Sequence, residues 1–145
     1  MLRVELCQDS VAWDRYVEFQ ADACNYHRWL WRKPIEDTFG HQAQYLAAYD
    51  NGTVCGVLPL FSIRSRLFGN SLVSVPFFSY GGLLADGTEA QEALLARAVE
   101  LAQETGARHI ELRQGDDSVV SWRNAASKVA MYVDLSSGSE ELWDR

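Results

Sequence analysis

The sequence predicts an α/β (α+β) protein: one mixed, largely antiparallel central sheet with helices on both faces. Three observations lead there. Strand-like runs at 44–49 and 53–62 flank Asp50-Asn51-Gly52, and Asn-Gly is the preferred hairpin pair because both central residues take positive φ. Leu94, Leu95, Ala98, Leu101 and Ala102 form one stripe at helical spacing, so a helix crosses between the strands on either side of it. The length, 145 residues, suits one domain with a real core.

The elements follow in order. Leu2-Arg3-Val4-Glu5-Leu6 alternates with period two and predicts a strand. Asp9 and Ser10 offer N-caps for a helix from about Val11, with Trp13, Tyr16 and Val17 on one face. Trp31, Ile35 and Phe39 are spaced for a helix in which Pro34 must sit in the first turn or make a kink. After the hairpin comes a strand at 71–75, ended by Pro76, then a glycine-bearing loop at 77–87 with an aromatic entrance. Thr88 and Gln91 spell a capping box, and Gly106 stops the helix they open. Further strands are expected at 109–113 and 128–135, with a polar loop at 116–126. Ser137 and Glu140 make a second helix start. Because short isolated helices are marginal, that start suggests that the chain is one part of a longer protein.

Composition removes several function classes. Apolar residues are 48% and charged residues 23% of the chain, which is ordinary globular usage. The longest apolar run, 54–61, is far short of the ~20 residues of a membrane span. With no signal-peptide pattern, a cytoplasmic location is expected. Net charge is −7, of which residues 77–145 carry −6, so bulk binding to DNA or RNA is not expected. Cys7, Cys24 and Cys55 show no C-x-x-C spacing and suggest small hydrophobes in a reducing compartment.

Motifs narrow the chemistry. Cys24-x-x-His27 with His41 lacks the fourth ligand of a closed zinc site, so no metal is expected. No cofactor motif is present either. A coenzyme A signature of the N-acetyltransferase (GNAT) class, [QR]-x-x-G-x-[GA], would stand between a strand and a helix, where backbone N–H groups and the helix N-terminus hold a pyrophosphate. Arg66-Leu67-Phe68-Gly69-Asn70-Ser71 is the nearest match, but it ends in Ser and leads into a strand-like segment. A tight turn explains it better.

The best site candidate is 80–86. Gly81 and Gly82 allow close backbone approach to a ligand, Tyr80 offers a ring and a hydroxyl, and Asp86 a carboxylate. The same residues also suit a plain turn leading into a helix cap. Trp31 fits a core aromatic or a ligand platform, and Glu111 with Arg113 an ion bridge or a polar site floor. His27 fits a loop or cap residue or a base.

A longer ordered run carries a resemblance. Trp13…Tyr16-Val17, His27…Trp31, Phe39-Gly40-His41, Gly56-Val57-Leu58-Pro59-Leu60, Ser65-Arg66-Leu67-Phe68-Gly69, Leu72-Val73-Ser74-Val75-Pro76-Phe77, Tyr80-Gly81-Gly82, Asp86 and Glu111-Leu112-Arg113 follow one another. This run resembles the N-terminal half of FemAB-like proteins, particularly the branch associated with exosortase/PEP-CTERM loci. Gly82 stands where that family usually has proline, and one extra residue precedes Asp86.

The resemblance implies a single GNAT-like (acyl-CoA N-acyltransferase) lobe over 1–145, whose second lobe lies elsewhere in the same protein. It implies acyl or aminoacyl transfer to an amine of a cell-envelope precursor, a peptidoglycan peptide or an exopolysaccharide-related intermediate. Aminoacyl-tRNA or acyl-CoA is the implied donor class. Asp86 would be the catalytic residue, with Trp31, Tyr80, Gly81 and Gly82 binding substrate. The alternative is a non-catalytic GNAT-like binding or scaffolding module.

Overall fold

A computed structural model describes residues 1–115 and Trp122. The expected strand at 128–135 and helix start at 137–140 lie outside the described residues, as does the expected loop at 116–126 apart from Trp122. The described chain runs β1 (Leu2–Leu6), α1 (Ser10–Glu18), two short 3-10 turns (Asn25–His27 and Trp29–Trp31), α2 (Arg32–Phe39), β2 (Gln42–Asp50), β3 (Thr53–Ser65), β4 (Gly69–Ser74), β5 (Leu84–Ala85), α3 (Thr88–Thr105) and β6 (Ala107–Glu111).

Local chemistry explains most of these boundaries. Asp9 caps α1, its Oδ1 accepting from the N–H groups of Val11 and Ala12 at 3.0 Å each. Pro34 sits in the first turn of α2, where its missing N–H removes no helical bond. Asn51 (φ 48°) and Gly52 (φ 86°) make the two-residue turn between β2 and β3, as expected. Arg66–Phe68 form a turn, closed by Ser65 Oγ accepting from the N–H groups of Leu67 and Phe68.

Two details depart from expectation. The cap of α3 is Gly87, and Thr88 is already its first helical residue. Gly87 has φ 139°, a region open to glycine, and with Asp86 it swings the chain from β5 into the helix within two residues. The loop at 77–87 also contains β5, whose Leu84 and Ala85 pair with Val57 and Gly56. Two residues carry too little periodicity to show as a strand in sequence.

The sheet order is β1-β2-β3-β4-β6, with β5 on β3. All pairings are antiparallel except β4–β6, which α3 connects. One edge of β3 is shared between β4 at residues 60–65 and β5 at 56–57. Pro59 lies between them. Its carbonyl accepts from Val75 N–H at 3.2 Å on that edge, so its missing N–H faces the same way. The ladder therefore lacks a donor where the edge passes from one partner strand to the next.

Period-two alternation divides β2 and β3 between two cores. Tyr45, Ala47, Val57 and Phe61 face Trp13, Tyr16, Val17 and Ile35 from α1 and α2. Leu46, Leu58, Leu60 and Leu72 face Leu94, Leu95, Ala98 and Leu101 of α3. The sheet is thus covered on both faces, as the sequence predicts.

Candidate functional site

The segment from Val75 to Gly87 joins β4 to α3. It opens with a turn in which Phe78 N–H donates to the Val75 carbonyl at 3.4 Å. Pro76 takes the second position, and Phe77 the third at φ 78°, where this turn type usually has glycine. Val75 is also left-handed, at φ 38°. Such non-glycine residues store on the order of 1–3 kcal/mol each and persist only where packing holds them. Val75 is fully buried, and the Phe77 ring stacks on Phe39 at 4.1 Å between centroids.

Gly81 and Gly82 follow, and both are buried. A Cβ on Gly81 would stand 2.8 Å from Val75 Cγ2, and its φ is 129°. A Cβ on Gly82 would collide with the Gln114 amide. That amide pairs with Leu83 like a neighbouring strand: Leu83 N–H donates to Gln114 Oε1 at 2.7 Å, and Gln114 Nε2 donates to the Leu83 carbonyl at 2.9 Å. Arg113 ties down the start of the loop, donating from a guanidinium nitrogen to the Phe78 carbonyl at 2.8 Å. It also pairs with Glu111 at 2.9 Å, the ion bridge among the two sequence readings.

The other candidates lie nearby but not in one cluster. Trp31 is half-buried, edge-on to Phe78 at 4.7 Å and tilted against Tyr26 at 5.9 Å. Tyr26 stacks on Phe78 at 4.2 Å and also backs Gly81. So Trp31 and Gly81 share one aromatic wall. Tyr80 is half-buried beside Gly115. Asp86 is exposed and belongs to a different group: its Oδ1 accepts from Tyr16 Oη and from Gln20 Nε2, both at 2.9 Å. Burial, and then the Asp86 carboxylate, hold the Tyr16 hydroxyl well above its ordinary value, so it stays a donor. Both bonds go to Oδ1, and Oδ2 has no hydrogen-bond partner among the described residues.

Near these groups lies a cleft of about 340 Å³ between the end of α1 and the first 3-10 turn. It is lined by Val17, Glu18, Gln20, Ala23, Cys24, Asn25 and Arg28. None of the sequence-predicted site residues lines it, yet Asp86 and Trp31 are bonded by residues that do, and Gly82 is reached from it through His27. Gln20 bonds Asp86. The Asn25 carbonyl accepts from Trp31 Nε1 at 3.0 Å. Cys24 N–H donates to His27 Nδ1 at 3.0 Å, and the His27 ring hydrogen bonds the backbone of Gly82. His27 is 4% exposed. Burial pushes its imidazole below the ordinary value, against the pull of those backbone bonds.

The cleft is what sequence reading missed. Residues 20–28 carry no periodic apolar signal, and the only clue is the C-x-x-H spacing of Cys24 and His27. Among the described residues no group of three or more His, Cys, Asp or Glu side chains is placed to hold a metal ion. No described helix is long and apolar enough to cross a membrane.

The β4–α3–β6 unit is a helix joining parallel strands with a loop at its N-terminus, and the whole chain has counterparts among known structures. A transcriptional regulator from Bacillus halodurans aligns at a TM-score of 0.61 and 14% identity, over 92% of this chain and 100% of its own. A ribosomal-protein-alanine N-acetyltransferase from Brucella melitensis aligns at 0.57 and 14%, over 92% and 97%. A GNAT family acetyltransferase from Staphylococcus aureus aligns at 0.55 and 12%, over 91% and 98%. The chain has the GNAT acetyltransferase fold. No protein-family model and no curated protein matches it.

Within this GNAT fold, Arg66–Ser71 run from a turn directly into β4, which begins at Gly69, so they do not lead into a helix N-terminus that could hold a pyrophosphate. The N-terminus of α3 bears Glu89 in its first turn, a charge that opposes an anion there.

Proposed function

We propose that this chain is the acyl- or aminoacyl-transfer lobe of a FemAB-like protein, acting on an amine of a cell-envelope precursor. Its donor is an aminoacyl-tRNA or an acyl-CoA, and a second GNAT-like lobe of the same protein completes the active cleft. The GNAT fold supports acyl transfer, and the ordered motif run supports the FemAB branch. The observation that carries the reading is that two residues of one cleft wall, Gln20 and Asn25, bond Asp86 and Trp31, while a third, Cys24, bonds His27, whose ring bonds the Gly82 backbone.

Attack of an amine on an acyl donor needs the amine neutral and its proton removed. Asp86 Oδ2 is the base, while Tyr16 and Gln20 hold the carboxylate through Oδ1. A positioned base contributes typically 10²–10⁴-fold. Trp31 and Tyr80 supply flat apolar walls, and Gly81-Gly82 shape the loop behind them. Asp86→Asn keeps the hydrogen bond from Gln20 or Tyr16 but loses the base. In the full-length protein its turnover with a muramyl peptide acceptor should fall about 10²-fold or more. Unchanged turnover in a folded variant removes Asp86 from the mechanism.

A second reading has its own support. Glu89 at the head of α3 opposes a donor pyrophosphate, which fits a GNAT-like module that binds a peptide or sugar without turnover. Calorimetric titration separates the two. Binding of acetyl-coenzyme A or an aminoacyl donor favours the transferase, and binding of the acceptor alone favours the module.

A further inference from the structure

One residue of the cleft wall belongs to a side-chain pair that the mechanism above leaves unused: Cys24, with the buried His27 behind it. Cys24 is partly exposed. Its Sγ lies 3.4 Å from His27 Nδ1. The same Nδ1 accepts from the Cys24 backbone N–H at 3.0 Å, which makes Nδ1 the unprotonated nitrogen and puts the ring proton on Nε2. The ring's further hydrogen bond to the backbone of Gly82 fixes its orientation. Trp13, fully buried, donates from Nε1 to the His27 carbonyl at 2.7 Å and holds the backbone beneath the ring. A nucleophile, an unprotonated base nitrogen 3.4 Å from it and a third group orienting the base are the parts of an arrangement that activates a thiol, once Nδ1 exchanges its bond from the Cys24 N–H for one from the S–H.

We infer that Cys24 and His27 form a nucleophile–base pair that accepts an acyl group from an acyl thioester. The other two cysteines are built differently. Cys7 is buried and meets the Tyr49 hydroxyl, and Cys55 meets no imidazole in the described structure. The choice of electrophile rests on the acyl-transfer reading, and the geometry of the pair does not.

The step balances without an outside reagent. The Cys24 S–H proton passes to His27 Nδ1, displacing the backbone N–H contact there. Sγ bonds to the thioester carbonyl carbon, and the carbon–sulfur bond to the donor breaks. The departing thiolate takes the proton back from the imidazolium, leaving S-acyl-Cys24 and a free thiol. An amine then attacks the acyl carbon, forms the amide and returns the Cys24 thiol. Arg28 and Glu18 are the charged residues on the cleft wall.

The test incubates the full chain with acetyl-coenzyme A and, separately, with S-acetyl-N-acetylcysteamine, and maps hydroxylamine-labile acetyl groups by mass spectrometry. Cys24 should carry the acetyl group, and Cys7 and Cys55 should not. His27→Gln, with its fold checked by near-UV circular dichroism, should acylate roughly 10²-fold more slowly. Should that variant fail to fold, the wild-type chain in urea replaces it, and Cys24 should react faster folded than unfolded. An unmodified Cys24, labelling no faster than Cys55, or a rate indifferent to His27 or to unfolding overturns the pair. Acetyl transfer to an amine that survives in Cys24→Ser also overturns the covalent step, but leaves the acyl-transfer reading standing. A chain that neither labels nor binds either thioester overturns both.

Discussion

The two faces of the sheet are built from different materials. The α3 face is aliphatic: Leu46, Leu58, Leu60 and Leu72 meet Leu94, Leu95 and Leu101, with few polar atoms to place. The face under α1 and α2 is aromatic. Trp13 stacks on Tyr45 at 4.7 Å and meets Trp29 edge-on at 5.7 Å, while Tyr45 meets Phe61 edge-on at 5.5 Å. Buried tyrosines and tryptophans bring hydroxyl and indole N–H groups that need partners. Trp13 finds the His27 carbonyl, Tyr16 finds Asp86 and Trp31 finds Asn25. The Tyr45 hydroxyl finds none among the described residues. Every one of those satisfied bonds runs to the cleft or to its neighbours, so the aromatic face carries the polar chemistry and the aliphatic face only packs.

Paired truncations probe that contrast most strongly. Trp13→Ala removes a fully buried ring and should cost about 3–5 kcal/mol, and Leu94→Ala about 2–5 kcal/mol, in urea unfolding. At temperatures where both remain folded, Trp13→Ala should change the iodoacetamide reactivity of Cys24 and Leu94→Ala should not. Equal effects would break the division of labour between the faces. Tyr16→Phe is gentler. It removes one hydrogen bond to a carboxylate that keeps Gln20, and should cost about 1–2 kcal/mol.

The smallest expected effect is a pH dependence on the aromatic face. His27 is held below its ordinary value of 6.5 by burial. The unfolded chain therefore binds the proton first as pH falls through about 6.5. Stability should be flat above that pH from this group, and should decline below it until the folded imidazole also protonates. His27→Gln should remove that part of the slope in urea midpoints measured from pH 7 downward. An unchanged slope would place the titration elsewhere.

Much of the architecture was legible because it rests on short-range rules. The Asp9 cap acts over two and three residues. The Asn51-Gly52 turn follows from the positive φ that those residues tolerate, and the stripe on α3 from helical spacing. The site was legible only in part. Gly81 and Gly82 stood out in sequence, but their closest neighbours are Val75, Tyr26 and Gln114, and no local pattern names those. Asp86 stood out as a carboxylate after a glycine pair, while its hold by Tyr16 across 70 residues did not. Cys24 gave no sign beyond its spacing to His27.

The alternation of apolar and polar residues, the turn pair and the helix stripe determine by themselves a two-faced sheet covered by helices, because each acts through backbone geometry within a few residues. Tertiary structure decided where Pro59 breaks the edge of β3 and which loop crosses the end of α1. It also decided that Gln20, Asn25 and Cys24 hold Asp86, Trp31 and, through His27, Gly82 around one cleft. The Gln20–Asp86 bond joins points 66 residues apart, and a pairing over that distance is settled only when the fold brings the two segments together.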